Sequence, residues 1–108
     1  MNEQRKLAAV MFTDIVGYTS LMSKDEQKTL ALLQKNRDLQ QSLAKKHKGE
    51  FLKEMDDGTL LCFQSALDAV RCAMEIQEAM KNDTDLNLRI GIHLGDIVLR
   101  AVMCLGMG

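Results

Sequence analysis

The sequence contains no proline, although average usage would place roughly five in a chain of this length. Helices can therefore run long without a breaker, and turns have to be made by Gly, Asp, Asn and Ser. An excess of charge is also missing, because 14 Lys and Arg against 15 Asp and Glu leave a formal net charge of −1. Phosphate-binding modules carry a strongly basic stripe, so this balance argues against a nucleic-acid partner. The local cluster Lys45, Lys46 and Lys48 reads instead as a helix end, where cations offset the macrodipole. No apolar run approaches the ~20 residues that span a bilayer. The short apolar stretch near the start has no small-residue cleavage site before Asp14, so the expectation is a cytoplasmic protein without a membrane segment. Cys62, Cys72 and Cys104 show neither close pairing nor metal-ligand spacing, and read as reduced thiols serving as small apolar residues. At 108 residues the chain is expected to be a single domain, 1–108, with one modest core.

What the chain does contain is a set of alternating and helical patterns. Residues 6–14 read as a strand with Val10, Phe12 and Asp14 on one face and Ala9 and Met11 on the other, so both faces need cover. Ser23 followed by Glu26 has capping-box spacing. From there Leu30, Leu32, Leu33, Leu39 and Leu43 recur at roughly helical spacing to His47, and Gly49 offers a stop. A short turn of helix over 19–22 is allowed before it. Residues 50–55 and 59–63 flank the "DDG" of 56–58 and predict a hairpin. Ser65 and Asp68 open a second helix with Leu67, Val70, Met74 and Ile76 on one side, ending near Asn82. Residues 86–94 alternate as a last strand. The order βαββαβ predicts an α+β fold of the ferredoxin-like type, an antiparallel sheet with helices on one face.

That topology has a consequence for two acidic residues. Right-handed crossovers make the first two strands point the same way, with the third antiparallel between them. The hairpin turn holding Asp57 then lies at the sheet end where Asp14 closes the first strand. Two carboxylates brought together repel unless a cation lies between them. Oxygen donors without a Cys or His pattern favour a hard ion, Mg²⁺ or Mn²⁺, whose shell is completed by water and phosphate. Gly17 allows backbone amides to approach such phosphates closely. The plainer alternative is that Asp14 caps a helix and "DDG" is an ordinary turn.

Four blocks together, "VMFTDIVGYTSL", "GEFLKEMDDGTLLCF", "SALDAVRCAMEIQ" and "LRIGIHLGDIVL", resemble successive parts of the class III adenylyl/guanylyl cyclase catalytic domain over about residues 6–100. The resemblance implies an adenylate cyclase that converts ATP to 3′,5′-cyclic AMP and pyrophosphate with two Mg²⁺ or Mn²⁺ ions per site. It implies metal ligation by Asp14, the Ile15 carbonyl and Asp57, and substrate contacts by Phe12, Val16, Gly17, Tyr18, Thr19 and Lys53. Lys53 falls where adenylyl cyclases carry a base-reading lysine, and adenine N1, a lone-pair acceptor, suits a cationic donor. The family also implies a head-to-tail homodimer across the uncovered sheet face, which Gly91 and Gly95 would let approach.

Two departures qualify the resemblance. Asp56 stands where the family typically has glycine. The atypical stretch 101–108, "AVMCLGMG", does not resemble the family segment that supplies the adenine-reading acid, the asparagine and the transition-state arginine. Arg89 and Arg100 lie outside that arginine motif. The expectation is an adenylate cyclase fragment with negligible turnover of its own, open to strand exchange between copies. The alternative is a non-catalytic cyclase-like module that dimerises or senses nucleotide.

Overall fold

The computed structural model describes residues 5–81 and 86–98, with side chains described for 8–81 and 86–95. Strand β1 is Arg5–Ile15, helix α1 Tyr18–Lys24 and helix α2 Glu26–Lys46. Strands β2, Glu50–Met55, and β3, Gly58–Phe63, precede helix α3, Ala66–Met80, and strand β4, Leu88–Val98. The sheet order is β2-β3-β1-β4 with every neighbouring pair antiparallel, the ferredoxin-like arrangement expected from the pattern. The expectations for Arg100, Cys104 and 101–108, and for a helix end near Asn82, lie outside the described residues.

Alternation along β1 divides its side chains as the sequence predicts. Ala9, Met11, Thr13 and Ile15 are buried under the helices, whereas Phe12 is 50% exposed. Leu61 and Phe63 of β3 and Ala69, Cys72, Ile76 and Met80 of α3 complete the core. The α3 stripe differs from the expected one, because Leu67, Val70 and Met74 are exposed. Small residues at 69 and 72 let the helix lie close on the sheet, and that close approach selects the face. On α2 the innermost positions are Thr29, Asn36, Gln40 and Ala44, while Leu32, Leu33, Leu39 and Leu43 pack around them half-buried.

Helix boundaries shift for local reasons. Ser23 lies inside α1, and α2 is capped by Asp25, whose side chain accepts from the Lys28 amide at 3.0 Å. An extended Asp25 (φ −159°) supplies the same cap chemistry two residues later than Ser23 would. After α2 it is Lys48 that takes the left-handed conformation, at φ 64°. Gly49 is held to glycine by the Phe63 ring and the Cys62 carbonyl, which a Cβ would strike. A register shift between Phe51 and Lys53 puts a bulge at Leu52. Cys72 is a free buried thiol, pushed up to about 11 by burial and then by nearby Glu75. Cys62 is buried and disulfide-bonded, against the reading of three reduced thiols.

Candidate active site

The carboxyl end of β1 is clamped from both sides. The Ile15 amide donates to the Asp57 carbonyl at 2.8 Å, and the Val16 amide donates to the Asn87 carbonyl at 2.9 Å. In the ladder Asp14 lies opposite Gly58 on β3 and opposite Arg89 on β4. A Cβ at Gly58 would run into the Thr13 carbonyl, so glycine is what permits this close approach. The segments carrying Asp14 and Asp57 therefore meet at one end of the sheet, as the topology requires.

Asp14 and Arg89 form a fork, with Nε donating to Oδ1 at 2.8 Å and Nη2 to Oδ2 at 3.1 Å. Their side chains are 43% and 71% exposed. The hydrogen bond to Asp14, and then its charge, raise the Arg89 pKa above the ordinary arginine value. Solvent screens a pair this exposed, so it adds little to folding. Asp56 and Asp57 are exposed.

Register places the remaining site residues. Lys53, Leu60, Phe12 and Gly91 are successive partners across β2, β3, β1 and β4. They form one row on the face opposite the helices, two residues along β1 from Asp14. The Phe12 ring lies over Gly91, where a Cβ would collide with it. Lys53 is exposed and shares this face. Met55, Gly58, Asp14 and Arg89 form the next row. At the other end of the face Ala8 and Cys62 are fully buried, so the open area is the end that carries Asp14. Gly17 takes the left-handed conformation (φ 71°, ψ 30°) that leads into α1. Val16 and Thr19 are exposed, but Tyr18 packs against the core, which leaves its backbone rather than its ring to the loop.

Arg89 is the residue the sequence reading passed over. Its signal was available: in the predicted strand order β4 lies beside β1, and counting the ladder puts Arg89 next to Asp14. A second omission is a buried polar chain. Thr13 Oγ1 and Thr59 Oγ1 lie 2.7 Å apart, Thr59 Oγ1 donates to Gln40 Oε1 at 2.5 Å, and Gln40 Nε2 donates to Asn36 Oδ1 at 3.0 Å. Polar residues at helical spacing on the inner face of α2 were its sequence signature.

Among the described residues no three His, Cys, Asp or Glu side chains converge on a metal position. The protein thus offers two carboxylate segments and leaves most of a coordination shell open, which suits a hard cation that keeps water and takes phosphate oxygens. A guanidinium already fills the Asp14 fork, so the position accepts positive charge. A cavity of about 880 Å³ lies elsewhere, between α3 and β4, lined by Val70, Met74, Gln77, Leu88, Ile90 and Ile92 among others. Its walls are mostly apolar, and the titratable groups among them, Glu78 and Lys81, pair with each other at 3.1 Å.

A four-stranded ferredoxin-like sheet with acidic residues at the end of β1 and in the adjacent hairpin defines a class, the nucleotidyl cyclase catalytic fold. The family model described as "Adenylate and Guanylate cyclase catalytic domain" matches residues 1–105, and the chain belongs to that family. A Rhizobium meliloti (strain 1021) protein described as "Putative adenylate cyclase 3" is 38% identical over 104 residues, covering 89% of this chain and 18% of that protein. The crystal structure of an "Adenylate/Guanylate Cyclase/Hydrolase" from Silicibacter pomeroyi is 36% identical, with a TM-score of 0.77 over 91% of this chain and 62% of that one. The guanylate cyclase domain of RhGC from Catenaria anguillulae, solved in complex with GTP, shares the fold at TM-score 0.76 and 23% identity, over 86% of this chain and 59% of that one. The chain therefore spans less than two thirds of the length of each of these relatives.

Proposed function

We propose that this chain forms the metal- and nucleotide-binding part of an adenylate cyclase catalytic domain, which in the whole protein converts ATP to 3′,5′-cyclic AMP and pyrophosphate. The observation that carries this reading is the junction of β1 with the hairpin turn, where the Ile15 amide meets the Asp57 carbonyl and Asp14 pairs with Gly58.

Asp14, Asp57 and the Ile15 carbonyl are the groups that would hold Mg²⁺ or Mn²⁺, two ions per site. Such ions, when bound, lower the pKa of the ribose 3′-hydroxyl and neutralise the triphosphate. The 3′-oxygen, its proton passed to water, would then bond to the α-phosphorus as the bond to pyrophosphate breaks. The chain's own contribution is positional. The backbone of 16–19 lies beside the carboxylate end, Phe12 and Lys53 share a row on the open face, and Lys53 offers a cation to adenine N1, where protonated guanine N1 would reject it. With a metal held by Asp14, the Arg89 guanidinium would be without that partner and would stand beside the site as a cation for phosphate oxygen. The open face carrying Phe12, Lys53 and Arg89 is the surface on which a second catalytic domain would pack head to tail as a homodimer.

One observation favours a second reading, a cyclase-like module that senses nucleotide or dimerises without chemistry: Arg89 already satisfies Asp14. Incubating the whole protein with Mn²⁺ and ATP while following cyclic AMP separates the two, since turnover abolished by Asp14→Ala supports the first reading and nucleotide binding without turnover the second. The expected result for the 108 residues alone is weak Mn²⁺–ATP binding, lost in Asp14→Ala, with negligible turnover. Binding that is unchanged in Asp14→Ala overturns the assignment of the site, and preference for GTP over ATP overturns the role of Lys53.

A further inference from the structure

The buried polar chain on the helix side of the carboxylate end has no role in the reading above, yet it occupies the ladder positions next to Asp14 and Gly58. Thr13 precedes Asp14, and Thr59 follows Gly58, the ladder partner of Asp14. Thr13 and Thr59 are themselves ladder partners, and their hydroxyls are 2.7 Å apart. Thr59 spends its only proton on Gln40, so Thr13 donates to Thr59 and the chain has one direction, from β1 through β3 into α2. Asn36 accepts from the Gln40 amide at 3.0 Å and fixes which way it faces. All four residues are buried, Gln40 completely. Among the described residues no buried side-chain nitrogen or oxygen lacks a partner.

Elsewhere the same helix–sheet layer is filled by Met11, Leu61, Phe63 and Ile76, and apolar residues would close this end equally well. Polar groups are costly to bury and are tolerated only when fully paired. What they add over apolar packing is a fixed geometry, since a hydrogen bond is directional and holds its two oxygens about 1 Å closer than methyl groups in contact. This one is placed where the β1 end and the hairpin turn have to keep their spacing.

We propose that Gln40 is a positioning residue for the carboxylate site: through Thr59 and Thr13 it holds the strand end carrying Asp14 at a fixed distance from the turn carrying Asp57. The inference rests on the reading of Asp14 and Asp57 as a shared cation site, but its structural half can be measured without any metal. Hydrogen exchange of the Ile15 amide, which is bonded to the Asp57 carbonyl, reports opening of that junction. In Gln40→Leu and Thr59→Val, exchange at Ile15 is expected to rise roughly tenfold more than at Met11, the worth of one net hydrogen bond, with Mn²⁺ affinity falling by a similar factor. Thr59→Ser, which keeps the hydroxyl, is expected to leave both unchanged. Should Gln40→Leu fail to fold, the Thr59 pair decides the matter.

Uniform acceleration along β1 would make the chain a matter of general stability and overturn the proposal, as would an unaltered Ile15 rate. Unchanged Mn²⁺ affinity in a variant with a loosened Ile15 overturns it too, provided Asp14→Asn abolishes binding. If Asp14→Asn binds Mn²⁺ like the parent chain, it is the cation site that falls, and the Ile15 rates still report whether Gln40 holds the junction.

Discussion

The two faces of one strand do different work. On the helix side of β1, Met11 and Thr13 are sealed, and the hydroxyl of Thr13 is matched by Thr59. One residue along each way, Phe12 is half exposed and Asp14, among the described residues, is held by a solvent-screened fork from Arg89. A period of two thus sends Met11, Thr13 and Ile15 into the core and leaves Phe12 and Asp14 open for the proposed chemistry. The proposed functional groups are backed by a buried layer but are not needed to build it. Such a division allows charged residues to gather at one sheet end without a folding penalty that would remove them.

Substitutions on the two faces should separate accordingly. Met11→Ala is expected to lose about 2–5 kcal/mol of stability, as a buried truncation does, whereas Phe12→Ala should lose under about 1 kcal/mol as a surface position; urea denaturation of both checks this. Equal losses would erase the distinction between the faces. Asp57→Asn should leave the denaturation midpoint within error yet reduce Mn²⁺ affinity by at least about tenfold, because one of two carboxylates is gone; calorimetric titration measures it. Arg89→Gln tests the competition at Asp14. Removing the guanidinium should tighten Mn²⁺ binding several-fold when nucleotide is absent, and weakening instead would mean that the fork orients Asp14 for the ion.

The smallest effect belongs to the far end of α2, away from both faces of the site. There Lys46 Nζ donates to Glu75 at 3.1 Å and His47 Nε2 lies 2.7 Å from the same carboxylate. The lysine hydrogen bond first, and then the histidine, hold the Glu75 pKa below its ordinary value of 4.5. A lowered carboxylate pKa stabilises the fold above that ordinary value, and the gain is lost as pH falls through the lowered one. Glu75→Gln should therefore be slightly less stable than the parent chain at neutral pH. The gap should close on acidification below 4.5, and thermal melts across that range follow it.

Much of this division could be read from the sequence. Alternation in β1 and the order of elements were enough to give the strand order and to bring Asp14 and the 56–58 turn to one end. The rest depended on contacts that periodicity does not encode. Ser23 and Asp25 both offer N-cap chemistry, and only the path of the chain out of α1 selects Asp25. Apolar residues surround more than one side of α3, so hydrophobicity alone could not pick the stripe that fits the sheet. Leucines on α2 concealed the more deeply buried Asn36 and Gln40, whose burial makes sense only once Thr13 and Thr59 are known to face them. Arg89 was discounted because it lies outside a familiar arginine motif, although the ladder makes it the neighbour of Asp14.

The central claim is that the β1 end and the hairpin turn share a cation. Adding substoichiometric Mn²⁺ to the isotopically labelled chain and recording amide spectra tests it most directly, since the paramagnetic ion broadens nearby nuclei. The account predicts that Ile15, Asp57 and Gly58 broaden first and together, and that Asp14→Asn protects all three. Broadening that begins elsewhere, or that reaches Ile15 but spares Asp57 and Gly58, would contradict it.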